Sequence, residues 1–225
     1  MTLRALFFDL DDTLCMTSRT RPERARLAFE ALRDVCPDLA FEEFAARLLA
    51  PNPATGFIAG SQALLSELGV LETPAGRRAH GLFFFDGCSH LIRPYDGMRA
   101  ALDALSHDFW LGVITNGEPA IQRRKFDALD IEAHFQLFLP SGEIGHHKPA
   151  RQIFEHALSQ AGVAPHEAVM IGDNLEADVR GAREAGLRSV WFNAEGQVAP
   201  AGAPRPDATV TAWAELQDLL WQWRG

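Results

Sequence analysis

From residue 97 to the C-terminus, short apolar runs of strand length alternate with segments of helical spacing. The helical segments are 97–107, 118–130, 149–162, 175–186 and 212–223, and the strand-like runs are 109–115, 135–139, 167–171 and 188–192. These runs are mostly apolar, whereas a half-exposed strand alternates apolar and polar residues. Strands buried on both faces belong to parallel sheets covered by crossover helices. A further apolar run, Ala5 to Phe8, stands near the N-terminus. The expected class is α/β, with a doubly wound, mostly parallel sheet. In such sheets ligands bind beyond the carboxyl ends of the strands.

Residues 16–93 break this alternation. Helical spacing recurs over 21–36, 41–50, 59–69 and 74–90, with a break at Pro51-Asn52-Pro53-Ala54-Thr55-Gly56. The reading is an inserted α-helical cap, at roughly 75 residues long enough to pack as a small domain. The expected division is a catalytic core of 1–15 and 94–225 and a cap of 16–93, with hinges at 15–20 and 91–96.

The first apolar run ends in three carboxylates within four residues, Asp9, Asp11 and Asp12. Clustered carboxylates resist burial unless a cation neutralises them. A hard divalent metal such as Mg²⁺ takes oxygen ligands of this kind; an acidic, solvated turn is the alternative. Thr115 ends the second strand-like run and Asp173 follows the run at 167–171. Parallel strands bring all these ends to one edge of the sheet.

Other features exclude function classes. The net charge of −9 disfavours nucleic acid as a partner. No apolar run approaches the ~20 residues that span a bilayer, and the N-terminus does not read as a signal peptide, so no membrane partner is expected. Cys15, Cys36 and Cys88 have no metal-ligand spacing, and their odd number suits free thiols in a cytoplasmic protein. Cys15 reads as a packing residue. Arg123-Arg124-Lys125 reads as a solvated helix face, His146 and His147 as loop residues, and the stripe Trp213, Leu216, Leu220, Trp223 as core.

Four segments together resemble the haloacid dehalogenase superfamily, in its phosphatase branch with a helical cap after the first strand. They are Asp9-Leu10-Asp11-Asp12-Thr13, Thr115-Asn116-Gly117, Lys148-Pro149, and Gly172-Asp173-Asn174 with Asp178. The resemblance implies a Rossmann-like core and Mg²⁺ as cofactor. It makes Asp9 the nucleophile, forming an aspartyl-phosphate, and Asp11 the general acid and base. It gives the metal to Asp9, Asp173 and the backbone carbonyl of Asp11, with Asp178 and Asn174 in or around its shell. Asn174 is also suited to an N-cap. Thr115, Asn116 and Lys148 would bind the phosphate. Ala150 and Arg151 depart from the Asp-Pro that often follows the family's Lys-Pro.

Asp11 carries weight here. True dehalogenases of the superfamily generally lack an Asp at this position, because they protonate no alkoxide. The expected function is Mg²⁺-dependent hydrolysis of a small phosphorylated metabolite: a nucleoside monophosphate, a sugar phosphate or phosphoglycolate. A phosphomutase is the enzymatic alternative, and a metal- and phosphate-binding pseudo-enzyme the non-enzymatic one. The expected state is monomer or homodimer. Specificity is assigned to the cap, with Asn52–Gly60 (Phe57 included), Arg93 and Tyr95 as candidate selectors.

Overall fold

The computed structural model describes residues 2–50, 56–84 and 90–224, and within 56–58 the backbone alone. Two compact units emerge, Met1–Met16 with Arg93–Gly225, and Thr17–Ile92.

The first unit is built on a six-stranded sheet. Its strands are β1 (Ala5–Phe8), β2 (Trp110–Thr115), β3 (Leu137–Pro140), β4 (Ala168–Gly172), β5 (Arg188–Phe192) and β6 (Ala208–Val210). Their order is β3-β2-β1-β4-β5-β6, and every pairing is parallel. This is the doubly wound Rossmann order, with the first strand at the centre. Ala5 pairs with Trp110 on one side and Ala168 on the other.

Successive β1 side chains serve opposite faces, as the strand period requires. Phe7 joins a core with Ile114, Leu139, Met170 and, from the helix Arg151–Ala161, Ile153 and Phe154. Phe8 stacks on Trp213 of the C-terminal helix Trp213–Trp223, ring centroids 5.6 Å apart. Trp213, Leu216 and Leu220 are buried as the stripe predicts, while Trp223 is half-buried under the Arg188 guanidinium. Cys15 is fully buried and packs beside the first loop.

Most boundaries fall within two residues of their expected places. Two do not. Strand β6 has three residues and no apolar run to announce it. The segment 175–186 is a π-helical stretch, Leu175–Arg180, continuing as α-helix only over Gly181–Glu184.

The second unit is helical: Thr17–Glu30, Phe41–Leu49, Gly56–Glu67 and Pro74–Phe84. Its first helix starts four residues before the expected place and carries Pro22 inside, then gives way to turns after Glu30. Arg24, 4% exposed, fastens this helix to the last by donating to the carbonyls of Thr17 and Phe83. Phe29 packs against Phe41 and Phe44. The proposed selector Phe57 and residues 52–55 lie outside the described side chains, as does Cys88.

Candidate active site

Four loops meet at the carboxyl edge of the sheet, one after each of the strands β1 to β4. The Asp9 N–H donates to the Ile171 carbonyl at 2.9 Å, so the chain leaves β1 still paired to β4. Asp12 then takes a left-handed conformation, φ 55°, and its N–H closes a turn onto the Cys15 carbonyl. Aspartate tolerates this region better than most residues. Asp12 is the turn residue of the acidic cluster, while Asp9 and Asp11 pair with Lys148 and Lys125.

Lys148 sits at the middle of the site, 4% exposed. Its Nζ donates to Asp9 Oδ1 and to the Ile114 carbonyl, both at 2.7 Å. It also lies 2.7 Å from Asp178 Oδ1. That oxygen is buried and, despite its ionic neighbour, receives no well-directed hydrogen bond. Burial works against the ammonium, but Asp178 and Asp9 outweigh it and raise the Lys148 pKa. Lys148 is therefore a fixed cation.

The position of Lys148 is set by Asn116. The Asn116 carboxamide donates to the Lys148 carbonyl and accepts from the Lys148 N–H, each at 2.8 Å. The side chain expected to grip phosphate thus also latches two loops together through the lysine's backbone. Ser141 and His147 support the same region. The Gly117 N–H donates to Ser141 Oγ at 3.0 Å, and Ser141 Oγ lies 2.6 Å from His147 Nδ1. His147 is therefore a loop residue, as expected, with a definite partner.

Asp173 follows β4, and its carbonyl accepts from Trp191 Nε1 at 2.8 Å. Asn174 is an N-cap: its Oδ1 accepts from the N–H groups of Glu176 and Ala177. The N-cap role expected of this side chain is thus the one the structure shows. The following turn is widened, with the Val179 N–H reaching the Asn174 carbonyl. Such π-helical turns recur at functional sites. Asp178 points back into the site, and its Oδ2 accepts from the Asn174 N–H at 3.0 Å.

Asp9, Asp173 and Asp178 each offer an oxygen within 4.8 Å of the others. Burial, above all, pushes the Asp173 carboxyl up to about 9, with the charges of Asp9, Asp178 and Asp12 adding to it. Burial likewise raises Asp9 to about 7; Lys148 opposes this shift, and Asp178 and Asp11 reinforce it. One ammonium stands among three carboxylates here, and it pairs with Asp9 and Asp178. An all-oxygen set of three carboxylates around a single ammonium fits a hard divalent cation such as Mg²⁺.

Asp11 is not grouped with these three. Its carboxylate meets Lys125, whose Nζ lies 2.8 Å from both Oδ1 and Oδ2. Gln122 Nε2 donates to Asp11 Oδ2 at 2.9 Å and to Thr115 Oγ1 at 2.5 Å. The solvated reading of Arg123-Arg124-Lys125 is thereby corrected. Arg123 is partly exposed and pairs with Asp127 and Glu132, but Lys125 is 7% exposed and turned inward. The helix Pro119–Leu129 buries Ile121, Gln122, Lys125, Phe126 and Leu129 on one face. Ile121, Phe126 and Leu129 mark that face in the sequence, and Lys125 adjoins it; the basic run hid this.

A parallel Rossmann sheet with a carboxylate–lysine–carboxylate centre at its carboxyl edge defines a hydrolase core. The family model for haloacid dehalogenase-like hydrolases matches residues 3–186, and the chain belongs to that family. It is 30% identical to N-acylneuraminate-9-phosphatase of Mus musculus, over 97% of this chain and 94% of that protein. It is 31% identical to glyceraldehyde 3-phosphate phosphatase of Pyrococcus furiosus, over 84% of this chain and 80% of that one. Among solved structures, a 2-haloacid dehalogenase from Pseudomonas syringae superposes with TM-score 0.69 at 27% identity, covering 99% of this chain and 100% of that chain.

Proposed function

We propose that the protein is a Mg²⁺-dependent phosphatase of small-metabolite phosphate monoesters that works through an aspartyl-phosphate. The observation that supports this most is the Asp9–Lys148 contact beside Asp173 and Asp178, with a second carboxylate, Asp11, two residues on. In this reading a carboxylate oxygen of Asp9 attacks phosphorus as the bond to the leaving oxygen breaks. Asp11 gives that oxygen its proton. Water then attacks the phosphorus of the aspartyl-phosphate, Asp11 takes its proton, and Asp9 and inorganic phosphate are released. Lys148 neutralises Asp9 and the phosphate oxygens, and the Thr115 hydroxyl sits at the phosphate end of the site. Asp9, Asp173 and Asp178 would hold Mg²⁺, with the Asp11 carbonyl as a further ligand. When bound, the ion supplies positive charge that keeps these carboxylates ionised and screens the phosphate.

The dehalogenase likeness favours a second reading, in which Asp9 displaces halide from a haloacid. That chemistry protonates no leaving group and has no use for Asp11 or for the side chains that bind it. The phosphatase reading uses them all. The helical unit is assigned substrate selection, because the residues above deal only with the phosphoryl group. Among the described residues no helix is long and apolar enough to cross a membrane. Cys15 and Cys36 are free thiols, which supports a cytoplasmic setting.

The test is a phosphate-release screen with Mg²⁺, led by N-acylneuraminate 9-phosphate and glyceraldehyde 3-phosphate. It includes nucleoside monophosphates, other sugar phosphates and phosphoglycolate, with haloacids assayed in parallel for halide. Phosphate release that EDTA and Asp9→Asn each abolish is the expected result. Halide release alone would replace this reading, and isomerisation without hydrolysis would make the protein a mutase.

A further inference from the structure

We propose that Lys125, assisted by Gln122, is the positioning residue that aligns Asp11 with the leaving oxygen. The inference rests on the phosphatase reading above. Its starting point is the cost of the pair. Lys125 lies on a buried helix face among Ile121, Phe126 and Leu129, where an apolar side chain would pack without desolvating a charge. Buried ion pairs are commonly neutral or unfavourable beside well-packed apolar residues. Lys125 at this position therefore points to a need for the ammonium itself.

The contacts say what the need is. Nζ straddles the Asp11 carboxylate, 2.8 Å from each oxygen, and so fixes the plane of the group. Gln122, one turn earlier on the same face, fixes which edge faces the phosphate end, since its Nε2 bonds both Asp11 Oδ2 and Thr115 Oγ1. Gly117 makes room for this bridge. It has φ 146°, and a Cβ there would lie 3.1 Å from Gln122 Cγ and Cδ. One helix thus ties the proton-transfer carboxylate to the loop that carries the phosphate-binding hydroxyl. A displacement of about 1 Å at such a group costs as much as 10²-fold in rate.

A positioning role makes a claim that a merely structural one does not. An aryl oxide departs without a proton, whereas an alkoxide needs the acid. Lys125→Met is expected to lower kcat/KM for an alkyl phosphate by about tenfold more than for p-nitrophenyl phosphate. Gln122→Met should shift the same ratio in the same direction by less, and it carries the test should Lys125→Met not fold. Lys125→Arg should restore much of the ratio. In an Asp11→Asn background, Lys125→Met should change the alkyl rate by under about threefold, because the group it acts through is gone. Equal losses on both esters, or an undiminished effect in the Asp11→Asn background, would overturn this inference and leave the phosphatase reading standing. A wild-type protein inert toward every ester with Mg²⁺ overturns both.

Discussion

The Asp178 carboxylate occupies the space that a Cβ on Gly172 would need. A methyl group built on Gly172 overlaps the Asp178 carboxyl carbon and oxygen outright. The last residue of β4 is glycine because the Asp178 carboxylate folds back over it from the π-helical turn.

Gly172→Ala should therefore push Asp178 out of the site. The expected cost is about 1–3 kcal/mol, as for other overpacked cores, with divalent-cation affinity lowered as well. In an Asp178→Ala background the same glycine change should cost much less. Unfolding curves of the four proteins check this, and an unchanged cost would mean that the clash is with the backbone.

Lys148→Met removes the one ammonium from the three grouped carboxylates. Removing one member of a buried ion pair typically costs ~3–5 kcal/mol. The burden falls on Asp9, whose ionised form Lys148 favours, so the loss should be greater in alkaline than in acidic buffer. Mg²⁺ should recover part of the stability and little of the turnover. Equal destabilisation at both pH values would show that Lys148 does not carry this charge balance.

Asn116→Ala breaks two hydrogen bonds to the Lys148 backbone. Each is worth about 0.5–1.5 kcal/mol. The lysine should then sit loosely, lowering kcat by about 10–100-fold, with a smaller effect on KM. A change confined to KM would instead return Asn116 to the phosphate.

The metal-free protein should be more stable in acid than in base where these groups titrate. Folding raises Asp9 from the ordinary 3.8 to about 7 and Asp173 to about 9, chiefly by burial. A carboxyl whose pKa rises on folding favours the folded state at low pH. That contribution is complete below pH 3.8 and is lost as pH climbs through about 7 and then about 9. The rise in Tm on adding Mg²⁺ should accordingly be greater near pH ~8.5 than near pH ~5.5. Thermal unfolding in both buffers, with Mg²⁺ and with EDTA, measures it. A shift that is equal or larger in acid would contradict cation binding at these three carboxylates.

The sheet was legible because parallel strands leave continuous apolar runs, and β1, β2 and β4 announced themselves so. Strand β6 did not: three residues at the sheet edge carry too little apolar text. The site's acidic residues were legible because carboxylates at strand ends are conspicuous. Lys125 was not, because a lysine beside two arginines looks the same in sequence whether it faces water or a half-buried aspartate. Its inward turn depends on the neighbouring loop after β1, a contact more than a hundred residues away in the chain. Asn116 shows the same limit. Its residue type suits an anion site, but its actual partner is the backbone of Lys148, which sequence spacing cannot reveal.

The central place of β1 bears on how the chain acquires its structure. The strand that delivers Asp9 is made before its neighbours, yet its two ladders are made with Trp110–Val113 and Ala168–Ile171. Through most of synthesis it is an apolar segment with neither neighbour. Such long-range pairings are slow to form and expose sticky edges while they wait. Nascent chains halted before β4 should therefore lean on chaperones, and Asp9 waits for β4 to frame it although it is made before the other residues of the site.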